Sequence, residues 1–233
     1  MSLRVFAPTD TGPLEVAQTL TLTREESHYL SKVRRARVGS EVDVFDGLGG
    51  IWRAITVAVD ARASRVELVD KRVLAAPPRE VSVLLGTPQA PALLDALTRA
   101  SEVGAVAVTL VHMQRSQGSV PKLQRIDRVL KAAQRQCGRP LPLAIEHAES
   151  LFSCPTDGDV EKRFAWAASR TASSKGGPPT QPAQLVIGPE GGLTPEEVTW
   201  LQHQGYTPLG LGPWVQRTET AVATGLARLI FAR

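Results

Sequence analysis

The sequence predicts an α/β protein: a small β-rich N-terminal unit followed by a parallel sheet flanked by helices. Three observations carry this reading. VSVLLG at 81–86 and AVAVTLVHM at 105–113 are continuous apolar runs, the pattern of strands buried on both faces. Amphipathic stretches of helical length alternate with such runs to the end of the chain, and that alternation marks a parallel sheet. Before them the runs are short and are broken by a glycine-rich turn, which suits a small barrel or curled sheet. Pro77 and Pro78 within LAAPPRE cannot continue a regular element, so the units are expected at 1–73 and 74–233.

In order, LRVFA at 3–7 reads as a strand. TREESHYLSKV at 23–33 reads as a helix with a capping box between Thr23 and Glu26. EVDVFDG, IWRAITVAV and SRVELV read as strands, the first two joined by the hairpin signal DGLGG. In the second part, APALLDALTRASEVG and KLQRIDRVLKAAQRQCG are helices ending at Gly104 and Gly138, where glycine suits a left-handed cap. LPLAI, FAWAA, AQLVIG and TPLGLG are further short strands, and TPEEVTWLQHQG and TETAVATGLARLIFAR are helices. TASSKGGPPTQP at 171–182 has the composition of a flexible loop.

Composition narrows the classes. The chain has 233 residues, 42% hydrophobic and 21% charged, with a net charge of +4. That mild basic excess is compatible with a polyanionic partner. Two cysteines imply no disulfide framework and suit a reducing, cytoplasmic setting. No apolar run approaches the ~18 residues that span a bilayer, and the N-terminus does not read as a signal peptide, so no membrane association is expected. Four histidines show no HxxH or HExxH spacing, so no metal is expected.

VIGPEGGLTPEEV at 186–198 is the densest motif. Thr194, Pro195 and Glu197 spell a capped helix start, so the glycines occupy a strand-to-helix junction. Ligands of parallel sheets bind off the carboxyl ends of strands, where glycine lets the backbone approach them. Phosphate cradles carry Lys and Ser or Thr; here the charge is Glu190, which suits ribose hydroxyls or a cation. A cationic nucleoside such as S-adenosylmethionine fits this loop. A tight turn with Glu190 at the positive end of the next helix fits it equally. PLGLGPWVQRTETAVATGL repeats the arrangement, with Gly210 and Gly212 before a helix that Thr218 can cap, so that two loops can form two walls of one pocket.

IGPEGGLTPEE followed by LGLGPWVQRTETA resembles the bacterial family that methylates N3 of a uridine in 16S ribosomal RNA, within the SPOUT superfamily. The chain keeps the first loop whole and keeps Leu211, Gly212, Arg217, Thr218, Glu219, Thr220 and Ala221 of the second. FDG at 45–47 and CGR at 137–139 also match, while SEVG at 101–104 and RS at 115–116 resemble further family segments. It departs at Trp214, where the family has arginine, at Gln216, where leucine is common, and at Gln114 and Arg135, where the family has glutamate. The resemblance implies a PUA-like RNA-binding barrel and a SPOUT domain with a deep trefoil knot, an exception to unknotted chains. It implies S-adenosyl-L-methionine as cofactor, held by Ile187, Gly188, Pro189, Glu190, Gly191 and Gly192 on one loop. The other loop would contribute Leu209, Leu211, Gly212, Val215, Thr218 and Ala221. It also implies a homodimer acting on the small ribosomal subunit; the apolar C-terminal helix suits a subunit interface or its own core equally.

The RNA side also has support in the residues. Arg125, Arg128, Lys131, Arg135 and Arg139 fall within an arc of ~120° at ~100° per residue, if the helix reaches Arg139. Lys32, Arg34, Arg35 and Arg37 form a second basic cluster, and both fit phosphate contacts. Uridine N3 must lose a proton before it is methylated, so a base or an anion-stabilising cation is required. Arg217 is the leading candidate, with a salt bridge to Glu219 as its plain alternative. Glu219 and Glu190 are candidate bases or holders of loop amides, and Arg115 is a further catalytic or RNA-contact candidate. A SPOUT ribose 2′-O-methyltransferase and a non-catalytic RNA-binding assembly factor are the competing functions. A nicotinamide dehydrogenase is disfavoured because no GxGxxG follows the first buried strand.

Overall fold

The structure is a computed structural model describing residues 3–74, 76–155, 158–166 and 181–231. The loop expected at 171–182 falls outside the described residues as far as residue 180, as do the last two residues of FAWAA. The chain divides into two compact units, Met1–Ala76 with Gln134–Pro142, and Pro77–Ala133 with Leu143–Arg233.

The first unit is a five-stranded sheet. Its strands are β1 Leu3–Phe6, β2 Thr19–Thr21, β3 Glu41–Phe45, β4 Ile51–Ala58 and β5 Arg65–Arg72, in the order β1-β3-β4-β5-β2. β1 pairs parallel with β3 and the remaining pairs are antiparallel. Period-two alternation buries Val42 and Val44 with Val66 and Leu68 around Leu20 and Leu30. The DGLGG hairpin forms because Asp46 Oδ1 accepts from Leu48 N and Gly50 N, both at 2.8 Å. β2, three residues long, carries no pattern readable in sequence.

The expected helix at 23–33 is α1, Arg24–His28, running into a π-helical turn over Tyr29–Val33. Thr23 accepts from Glu26 N at 3.3 Å, but the Glu26 carboxylate does not reach back to complete the box. It accepts instead from Phe6 N at 3.1 Å and pairs with Arg135, whose guanidinium lies 5.0 Å from the Phe6 ring centroid and 4.5 Å from that of Tyr29. Burial holds the Glu26 carboxyl above its usual range, with Arg135 opposing the shift.

The second unit is a six-stranded, wholly parallel sheet. It contains β6 Val81–Gly86, β7 Ala107–Val111, β8 Ala144–Ala148, β9 Glu161–Ala165, β10 Ala183–Ile187 and β11 Thr207–Leu209. Their order is β11-β9-β10-β6-β7-β8. The helices are α2 Ala90–Val103, α3 Leu123–Cys137, α4 Pro195–His203 and α5 Thr218–Phe231. Val81, Val83, Leu85, Ala183, Leu185 and Ile187 point to one face and pack with α2, α3 and α5. Leu84, Val186 and Phe164 point to the other and pack with Leu201 and Tyr206 around α4. The continuous apolar runs are thus explained by two covered faces. The strand expected at LPLAI begins later, at Ala144.

Arg135→Ala should destabilise the first unit by about 3–5 kcal/mol, because it leaves the Glu26 carboxylate buried without its cation. The folded variant would then bind a proton at Glu26 more tightly than its unfolded chain does, so stability falls as pH rises above the usual carboxylate range. Denaturant unfolding should show a smaller loss at about pH 5 than at about pH 8.

Candidate functional site

The glycine-rich loops follow β10 and β11, and their position depends on close backbone packing. A Cβ on Gly86, at the end of β6, would stand 2.5 Å from Pro189 Cδ and 2.7 Å from Met113 Sδ, so the loop after β10 can lie across β6 only because residue 86 is glycine. Gly192 turns that loop with φ +70°, a left-handed value.

A clamp from the end of β7 then fixes the loop. Glu197 is fully buried; its Oε2 accepts from Thr194 N and its Oε1 from Gln114 N, both at 2.8 Å. Thr194 completes the capping box by accepting from Glu197 N at 3.2 Å, as the sequence implied. Beside it Gln114 Nε2 donates to Glu196 at 2.8 Å. Arg115 donates to the Gly191 carbonyl at 3.0 Å and the Leu193 carbonyl at 3.4 Å. Glu190 Oε1 accepts from Gln89 N at 3.0 Å, at the start of α2, where a carboxylate also suits the helix dipole.

The two loops are walls of one open cavity of about 660 Å³ at the carboxyl ends of β9, β10 and β11. Ile187, Gly188, Pro189, Glu190 and Gly192 line one side, and Leu211, Gly212, Val215, Thr218 and Ala221 the other. Two residues expected there are not among the lining: Leu209 is in the core, and Gly191, on the same loop, turns its carbonyl to Arg115. Arg115, Arg217 and Glu219 all line the cavity. The Arg217 side chain is exposed, and among the described residues neither it nor the Glu219 carboxylate makes a side-chain hydrogen bond or ion pair, so the alternative of an Arg217–Glu219 salt bridge is not made; the Arg217 carbonyl accepts from Ala221 N at 2.8 Å. Thr218 is the first residue of α5, inside the helix rather than before it.

Ala92, Ala165, Trp166, Leu193, Trp214 and Gln216 complete the lining. Trp166 was within reach of sequence reasoning, since it follows the carboxyl end of a strand in a parallel sheet. The lining is mainly apolar, with carboxylates and arginines at named points, and its size is that of a small-molecule site. It suits an adenosine carrying positive charge: apolar walls for the base, Glu190 and Glu219 for hydroxyls or a cation, and, among the described residues, no lysine to favour phosphate. Among the described residues no group of three His, Cys, Asp or Glu side chains could hold a metal ion.

The basic residues differ in exposure. Arg125 and Arg128 are exposed on α3, and Lys131 pairs with Asp127 at 3.0 Å. Arg135 is engaged by Glu26 in the first unit. Arg139 lies beyond the end of α3 and donates to the Leu141 carbonyl at 2.8 Å; burial lowers its pKa. Lys32, Arg35 and Arg37 are exposed and Arg34 is half-buried, with Arg35 in the left-handed region at φ +52°.

A family model described as an RNA methyltransferase domain matches residues 75–230. The chain belongs to the RNA methyltransferase family. A second model, an RNA methyltransferase PUA domain, matches residues 22–69 of this RNA methyltransferase. Among relatives, a Synechocystis protein named ribosomal RNA small subunit methyltransferase E is 28% identical, over 92% of this chain and 73% of its own length. A Bacillus subtilis protein of the same name is 26% identical over 98% of this chain and 96% of its own. A methyltransferase structure from Legionella pneumophila, in complex with bound S-adenosylmethionine, shares the fold with a TM-score of 0.87 at 24% identity, covering 100% of this chain and 98% of that one. A Neisseria gonorrhoeae ribosomal RNA small subunit methyltransferase E bound to S-adenosylmethionine shares it with a TM-score of 0.85 at 22% identity, covering 98% and 97%.

Glu197→Gln puts an amide NH₂ against one backbone N–H and weakens the other bond. It should cost the methyltransferase unit about 2–4 kcal/mol, and backbone hydrogen exchange should quicken at Gln114 and Thr194.

Proposed function

We propose that this chain transfers a methyl group from S-adenosylmethionine to N3 of a uridine in small-subunit ribosomal RNA. The observation that carries the reading is the single cavity built by the two glycine-rich loops, with Arg217 exposed and unpaired on its wall. The names of the relatives support the ribosomal substrate, and the cofactor-bound structures of the same fold support the ligand. A homodimer, a cytoplasmic setting and a knotted path through the two loops belong to the same proposal.

When bound, the cofactor supplies an electrophilic methyl group on a sulfonium. The protein's work is alignment and charge. Ile187, Leu211 and Val215 give the adenine an apolar wall, and the Glu190 carboxylate, fixed by Gln89 N, lies where ribose hydroxyls or the sulfonium can meet it. Clamping by Glu197 and Arg115 keeps the loop preformed, so little ordering cost falls on binding. The acceptor N3–H must lose its proton before or as the N–C bond forms and the C–S bond breaks. In this reading Arg217 stabilises the uracil anion and Glu219, which lines the same cavity, takes the proton. Arg115 positions the loop through two carbonyls and acts through it.

Arg217→Ala should keep the fold and S-adenosylhomocysteine affinity but lower turnover by roughly 10²–10³-fold. Ribosomal subunits from a strain lacking the protein, incubated with purified enzyme and labelled cofactor, should carry label at N3 of one uridine on mapping. Label on a ribose, or none, would overturn the assignment.

Exposed Arg128 on α3 and its neighbour Lys131 are proposed phosphate contacts, as are Lys32, Arg34, Arg35 and Arg37 in the first unit. Arg128→Glu with Lys131→Glu should weaken RNA binding and reduce the slope of log affinity against log salt by about 1–2. Filter binding at several salt concentrations measures both.

A further inference from the structure

Trp214 stands out among the four tryptophans of the chain. Trp52 has Lys71 over its ring, Trp200 meets the Phe152 ring edge-on, and Trp166 tilts against Phe164. Trp214 has no ring or cation partner among the described residues, and 82% of its surface is exposed. Its neighbour Val215 is 85% exposed, and both residues line the cavity. The segment is braced from behind, because Gln216 Nε2 donates across the loop to the Leu211 carbonyl at 3.1 Å. A fixed loop therefore holds a bare indole and a bare isopropyl group on the lip of the candidate methyl-donor site. Adjacent apolar groups left in water in this way mark a surface that something covers.

We infer that Trp214 is the stacking platform for the acceptor base, and that its occupant is one unstacked pyrimidine of an RNA strand. The inference rests on the RNA-methylation reading above. A ring nitrogen inside a base stack cannot reach a methyl group held in a cavity, so the base must leave its stack and lose those contacts. RNA-binding proteins commonly offset that loss with an aromatic side chain or an arginine plane. Here both lie on one wall: Trp214 supplies a π-face, and the unpaired Arg217 guanidinium suits the carbonyl edge of the same base. Every base offers a π-face, so Trp214 contributes affinity and orientation, leaving sequence choice to other groups.

The test compares wild type, Trp214→Ala and Trp214→Phe, with ribosomal subunits as substrate and S-adenosylhomocysteine as cofactor probe. Trp214→Ala should raise KM for the subunit by roughly tenfold to a hundredfold, the worth of one stacked base. Phenylalanine should recover most of that loss, and calorimetric affinity for S-adenosylhomocysteine should stay within about threefold of wild type if the ring meets the acceptor base alone. Adding a short uridine-containing RNA to the wild-type complex should quench tryptophan emission, and that component should vanish in Trp214→Phe. An unchanged KM, or quenching that survives in Trp214→Phe, overturns the proposal. So does an equal loss of cofactor affinity, or a change in sedimentation, which would make Trp214 a cofactor wall or a subunit contact. If wild type methylates no subunit, the proposed reaction falls, and the quenching measurement still decides whether Trp214 meets a base.

Discussion

The candidate site depends on one buried carboxylate. Glu197 ends the loop after β10 as a helix cap and at the same time accepts the backbone N–H of Gln114, from the segment after β7. A buried charge is tolerable only with such donors, and each donor here is a backbone group that would otherwise be unsatisfied. The two requirements meet at a single side chain. The loop is therefore held against the neighbouring strand end rather than left to find it, and Arg115 repeats the tie through two carbonyls.

That constraint gives the cavity its chemistry. Strand ends in a parallel sheet leave backbone groups pointing outward, and the loops over them become walls once their backbones are fixed. Glycine at 86 permits the close approach of Pro189, and left-handed Gly192 turns the chain back toward α4. The resulting wall is mostly apolar, with its few charges at defined points. Among the described residues Arg217 has no anion to pair with, which leaves its guanidinium for a ligand. A cation of this kind on an apolar wall suits a reaction that passes through a base anion.

Charge elsewhere divides between side chains engaged in the fold and side chains left exposed. Arg135 and Arg139 share the basic stripe in sequence with Arg125 and Arg128. Yet Arg135 is held by Glu26 between two aromatic rings, and Arg139 is partly buried against a carbonyl. The Arg135–Glu26 pair is a buried contact within the N-terminal unit. Exposed Arg125 and Arg128 keep the freedom that phosphate binding requires.

The sequence alone determined the parallel sheet, the order of its elements and the capped start of α4. Each of these is written in local periods: continuous apolar runs, 3.6-residue stripes, and a Thr–Glu spacing of one helical turn. Most of the residues that line the cavity were legible for the same reason, since glycine and helix-cap chemistry act over a few positions. Only the tertiary structure decided that Glu26 leaves its own helix cap for Arg135, 109 residues away, that Glu197 also serves Gln114, and that Arg217 goes without Glu219. It also put Trp166 and Trp214 in the lining of one cavity and Leu209 in the core. Those outcomes rest on which strand lies beside which and at what register, and a side chain's nearest partner across a sheet leaves no periodic trace in the chain.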